Sequence, residues 1–193
     1  MRVLNFLKNQ KIVLILIVIL ATCLRIINLN NCPIFFNQDE ALNGYEAYSI
    51  LKTGRDHRGN PWPIFFEGFS DRVDNRLPLY IYFTVPFVTV FGLNKFAVRL
   101  PAVIFGVLTV LITYFLAKEL FKKEIIGLLS SFFLSISPWH IFLSRLGLEV
   151  ITVPFFSTLA IFFFIKGLKE RNFFLLFSAI SFGLLFYTYH IAK

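Results

Sequence analysis

The chain has 193 residues, of which 57% are hydrophobic and 26 are phenylalanine. Charged residues make up only 16%, too little polar surface for a soluble domain of this size to cover its core. Much of the net charge of +8 sits at the ends of apolar runs. Orientation in a membrane accounts for it there, so it is not read as a nucleic-acid surface.

Residues 12–29 form the first apolar run, about the length a bilayer requires. Lys8 and Lys11 ahead of it imitate a signal peptide, and Leu20-Ala21-Thr22-Cys23 imitates a lipoprotein cleavage site. Thr22 suits such a site poorly and the chain re-enters the membrane repeatedly, so the run reads as an uncleaved span. Arg25, near its end, is placed to snorkel towards the headgroups. Cys23 and Cys32 are too few and too differently placed for a disulfide framework or a zinc site.

Residues 30–76 are the one long polar region, rich in turn formers at Thr53-Gly54, Arg58-Gly59-Asn60-Pro61 and Pro63. Between Asp39 and Lys52 the apolar residues Leu42, Tyr45, Ala47, Tyr48 and Leu51 recur at helical spacing. This predicts a short amphipathic helix on the membrane surface, with His57 solvated in the turn beyond it. Further apolar segments occupy 77–93, 100–117, 125–143, 150–165 and 173–189. They are expected to be helices, because isolated strands leave backbone groups unsatisfied in lipid. The predicted fold class is all-α: a polytopic transmembrane helical bundle with an outer-face loop, 30–76, carrying short amphipathic helices.

Three basic clusters, Arg2/Lys8/Lys11, Lys118/Lys122/Lys123 and Lys166/Lys169/Arg171, suit the cytoplasmic side. The 30–76 loop, Glu149 and His190 then lie outside. Between Arg76 and Lys118 the chain crosses once, although two apolar segments fill that interval. The short 77–93 segment, interrupted by Pro86, is therefore expected to be interfacial or re-entrant. The alternative lets it span and gives up one basic cluster.

The outer face then collects Asp39, Glu40, Arg76, Arg99, Arg145, Glu149 and His190. Ionisable residues at membrane depth are costly and call for a role. A carboxylate at an apolar rim suits a general base, while Asp39 as a helix N-cap with Glu40 in the first turn is the simpler reading. Arg76 and Arg99 each open an apolar segment, as interfacial anchors or as phosphate ligands. Arg145 and Glu149, four residues apart, suit a pair on one helix face. Trp139 is a natural interface aromatic, and the lone His140 reads as structural. No Walker loop, GxGxxG, HExxH, CxxC pair or Ser/His/Asp arrangement occurs, so nucleotide-dependent chemistry is not expected. No cofactor is assigned; a divalent metal is left open and no metal ligand is named.

Taken in order, these pieces resemble the N-terminal part of the GT-C glycosyltransferase superfamily, in its protein O-mannosyltransferase and lipid A aminoarabinose transferase branch. The resemblance rests on Asp39-Glu40, Gly54-Arg55-Asp56, Gly59-Asn60-Pro61-Trp62-Pro63, Leu77-Pro78-Leu79-Tyr80, Phe91-Gly92, Val98-Arg99-Leu100-Pro101-Ala102 and Ser137-Pro138-Trp139-His140 through Ser144-Arg145. It implies transfer of a sugar, with inversion, from a polyprenyl-phosphate donor to a hydroxyl of a protein, lipid or glycan acceptor, on the outer face of a bacterial or archaeal cell membrane. It further implies Asp39 as catalytic base with Glu40 beside it, Arg76 towards the donor phosphate, and Glu149 and His190 or Lys193 towards the cavity; by their placement on the outer face, Arg99 is a second candidate for the donor phosphate and Arg145 a candidate for the cavity. Relatives carry Lys-Pro-Pro or His-Pro-Pro where this chain has Arg76-Leu77-Pro78, and several carry Asp at the place of Glu149. Family chains are longer, so residues 1–193 are expected to be the N-terminal part of such a domain and not to complete its cavity alone. A non-catalytic membrane scaffold, or a transporter with broken helices and mid-bilayer charges, is the competing expectation.

Overall fold

In a computed structural model, residues 10–67, 75–170 and 172–188 are described. Among the described residues the regular structure is helical apart from one two-residue ladder. The helices are α1 (Gln10–Ile26), α2 (Gln38–Thr53), α3 (Leu79–Phe91), α4 (Lys95–Phe121), α5 (Glu124–Ser135), α6 (Pro138–Ser144), α7 (Thr152–Lys169) and α8 (Phe173–Leu185). A 3-10 turn, Glu149–Ile151, leads into α7, and β1 (Phe66–Glu67) pairs antiparallel with β2 (Asn75–Arg76). Among the described residues, Lys95–Phe121 and Glu149–Lys169 are long and apolar enough to cross a membrane. The α5–α6 pair passes the same test only as a span bent by 63°.

Helix α4 is the spine of the bundle. Its first turn enters a core with Ala47, Ile50, Phe66, Ile81 and Val88. Ala102 and Phe105 pack with Tyr80, Ile151 and Phe156. Val110 and Tyr114 pack with Ile17 and Ala21 of α1 and Leu128 of α5. One helix of 27 residues, about 40 Å long at 1.5 Å per residue, reaches all three clusters.

The 125–143 segment is divided rather than straight, because Pro138 has no N–H to give the carbonyl of Leu134. Arg25 meets the exposed carbonyls. It donates to Ser135 O at 3.0 Å and Leu134 O at 3.4 Å, and also to His140 Nδ1 at 2.8 Å and Ser144 Oγ at 3.3 Å. The expectation that Arg25 snorkels is therefore corrected: its side chain is fully buried, with its N–H groups taken up by carbonyls and side chains at the helix break. A Cβ at residue 106 would collide with Ser144 Oγ, so Gly106 lets α6 approach α4 closely enough to place Ser144 against Arg25.

Candidate active site

The N-cap of helix α2 is Asn37, not Asp39. Asn37 Oδ1 accepts from the backbone of α2's first turn, and Glu40 Oε2 accepts from Asn37 N at 3.2 Å, a reciprocal capping box. The Asn-x-x-Glu spacing was the sequence signal for this start. With the cap supplied by Asn37, the Asp39 carboxylate is not used to start the helix and stands 46% exposed.

Glu40 turns inward instead. Its carboxylate accepts from Arg99 Nε at 2.8 Å and Nη2 at 3.0 Å, and from Gly147 N at 2.7 Å. Both side chains of this pair are fully buried. Arg99 also donates to the carbonyls of Leu29, Pro33 and Phe35 at 3.0, 3.0 and 2.8 Å. All five of its N–H groups are thus engaged, leaving none for a phosphate. Gly147 is required here: a Cβ would sit 2.8 Å from Val98 Cγ1 and 3.3 Å from Glu40 Oε1.

Arg145 is occupied in the same manner. It donates to the carbonyls of Leu24, Arg25, Ile27 and Cys32 at 2.8 to 3.3 Å, closing the end of α1. Arg145 and Glu149 do not form the expected pair, since α6 ends at Ser144 and the two residues share no helix. Glu149 is half-buried at the 3-10 turn, and Asn43 Nδ2 donates to its Oε2 at 3.3 Å and to Gly147 O at 3.0 Å. Asn43 lies one helical turn after Asp39, on the same face of α2. Asn43 therefore links the Asp39 face of α2 to Glu149, a link that its sequence position does not announce.

Arg76 is the exception among the buried arginines. Its Nη2 pairs with Asp39 Oδ1 and its Nη1 reaches Asp39 O at 3.4 Å. Its Nε is buried and meets no partner among the described residues. The two positions singled out as base and as phosphate ligand, 37 residues apart, thus touch. The arrangement holds an accessible carboxylate against a guanidinium that the described residues do not saturate.

Two further placements differ from expectation. His57 is not solvated: its backbone N and Nδ1 both contact the buried Glu46 carboxylate of α2. Burial raises the Glu46 carboxyl above its ordinary value, against the lowering effect of the His57 hydrogen bonds. In the same turn Asp56 accepts from the backbone of Arg58 and Asn60 and from the Asn60 amide, and its carboxyl is lowered because those bonds outweigh its desolvation. His140 is structural as expected, held by Arg25 within the bundle. His190 and Lys193 lie outside the described residues. Among the described residues no group of three or more His, Cys, Asp or Glu is arranged to hold a metal ion.

Residues 75–192 match the family model described as dolichyl-phosphate-mannose-protein mannosyltransferase. No curated protein matches the chain. Arg76, Arg99, Arg145, Glu149 and His190 fall within the matched stretch, whereas Asp39 and Glu40 precede it.

Proposed function

The chain belongs to the dolichyl-phosphate-mannose-protein mannosyltransferase family, and we propose that it carries the catalytic face of a membrane glycosyltransferase using a polyprenyl-phosphate sugar. The observation that carries this reading is the contact between the exposed Asp39 carboxylate and the partly used Arg76 guanidinium. In the proposed reaction the acceptor hydroxyl gives its proton to Asp39 as its oxygen attacks the anomeric carbon. The bond from that carbon to the phosphate oxygen breaks on the opposite side, which inverts the centre. Arg76 receives the departing phosphate through the N–H groups that Asp39 does not use. Arg99 and Arg145 act one step away, fixing the loop after α1 and the Glu40 end of α2. Glu149, held by Asn43 near the same face, borders the acceptor side.

This reading places the site on the non-cytoplasmic side of a multi-pass protein. It also lays α3 along the outer surface. Two contacts support that placement: β2, just before α3, meets the start of α2 through Arg76, and Tyr80 in the first turn of α3 donates to Val98 O in the first turn of α4 at 2.8 Å. The start of α3 thus sits beside the start of α4, the turn to which its own C-terminal end leads. The α5–α6 bend is the feature a transporter would use, but Arg25 already occupies the carbonyls beside it.

The deciding experiment measures sugar transfer from a polyprenyl-phosphate donor by the purified protein and by Asp39→Asn. Turnover should fall by roughly two to four orders of magnitude, with little change in yield, because Asp39 is exposed and does not cap α2. The anomeric configuration of the product tests inversion. Near-normal turnover in Asp39→Asn would remove the base from this scheme.

A further inference from the structure

Helix α2 has a second working face. At about 100° per residue, Ala41, Gly44 and Tyr45 lie on the side opposite Asp39 and Asn43. They border an apolar groove of about 520 Å³, completed by Phe36, Leu93 and Val98. At its rim stand Asn94 and Lys95. From that same rim a more polar groove of about 570 Å³ opens between Asn30, Asn31 and the rings of Phe91 and Phe96. No carboxylate borders either groove. The Lys95 ammonium lies 5.6 Å from the Phe36 ring centre and forms no ion pair among the described residues. It stands at the end of α4 away from Lys118 and Lys122, so the basic clusters that orient the chain do not account for it.

We propose that these two grooves form a binding site for one anionic phospholipid, distinct from the Asp39–Arg76 site. An acyl chain lies in the apolar groove between α2 and the α3–α4 junction. The phosphate-bearing head lies in the polar groove on Lys95, with the amides of Asn30 and Asn31 beside it. A cation without an ion-pair partner among the described residues, placed where an apolar and a polar channel meet, matches an amphiphile with one negative charge. The occupied site braces α2 against α4 from behind and leaves the Asp39 face open. The inference does not rest on the proposed sugar transfer, because the helix separates the two faces.

The test is native mass spectrometry of the delipidated protein in detergent, titrated with phosphatidylglycerol or phosphatidylcholine of equal chain length. One phosphatidylglycerol per chain should bind in preference to phosphatidylcholine. Lys95→Gln should weaken it about fivefold, the effect of one interfacial cation on an anionic lipid. Lys95→Arg should bind as the wild type, as should Lys11→Gln at the other end of the bundle. Ala41→Phe, which fills the groove at an exposed position, should abolish binding of the lipid while leaving the helical circular dichroism unchanged. Inorganic phosphate should not compete. Equal affinity for the two phospholipids, or undiminished binding in Lys95→Gln, would overturn the site. Displacement of phosphatidylglycerol by a polyprenyl phosphate, dependent on Lys95, would also overturn it, by assigning the groove to the sugar donor.

Discussion

Asp39 and Glu40 are neighbours in the chain and should fail in opposite ways. The Glu40 carboxylate accepts four hydrogen bonds, from Asn37 N, Gly147 N and two nitrogens of Arg99. Glu40→Gln keeps the shape but replaces one acceptor oxygen by an NH2 that faces donors, and it strips Arg99 of its counter-charge in a fully buried place. Removing one partner of a buried ion pair costs roughly 3–5 kcal/mol, a hundredfold or more in the ratio of folded to unfolded protein. The assay is the fraction of protein that stays monodisperse in detergent after heating, read beside sugar transfer per folded molecule. Glu40→Gln should lose much of its thermal resistance while the surviving fraction keeps most of its turnover. Asp39→Asn should do the reverse. A Glu40→Met, Arg99→Met pair should not restore the wild-type value, because the carbonyls of Leu29, Pro33 and Phe35 lose their donor at about 1–3 kcal/mol each. A Glu40→Gln protein as heat-resistant as the wild type would refute the structural role assigned to this pair.

Arg76→Gln should raise the apparent KM for the lipid donor if the guanidinium holds the phosphate throughout, or lower kcat if it acts on the departing charge, with acceptor KM nearly constant. Unchanged donor kinetics would leave Arg76 as an anchor for Asp39. Cysteines introduced singly at Asn60, Lys122 and Lys169 should react with an impermeant reagent in intact cells only at Asn60; reaction at Lys122 would make α3 a span. Burial raises the Glu46 carboxyl above its ordinary 4.5, so between that value and the raised one the folded form holds a proton that the unfolded form has released. The stability from this group is complete below pH 4.5 and is lost as pH rises through the raised value. Glu46→Gln should flatten that part of the profile of stability against pH, and an unaltered slope would place the titration elsewhere.

Much of the architecture was legible in the residues because apolar runs and turn formers act locally. Helices α3, α4, α7 and α8 lie over the apolar segments at 77–93, 100–117, 150–165 and 173–189, and Gly54 ends α2 in the left-handed conformation that its Thr53-Gly54 signal suggested. The family pattern suggested separate roles for Asp39 and Arg76, but neither it nor spacing announced their contact. What could not be read was how each cation is employed. Arg76-Leu77-Pro78 and Arg99-Leu100-Pro101 look alike along the chain, and Arg25 and Arg145 look like ordinary span-end charges. A guanidinium is saturated or left open by carbonyls that are distant in sequence: 66 and 70 residues away for two of those bound by Arg99, and more than 100 for those bound by Arg145. Local propensity carries no information at that range. The sequence by itself therefore determined an all-helical membrane chain with its carboxylates and arginines at the span ends. Only the tertiary structure decided that Arg25, Arg99 and Arg145 hold the backbone together while Arg76 has an N–H group without a partner among the described residues, because hydrogen-bond capacity is spent where the packed helices bring donors and acceptors together.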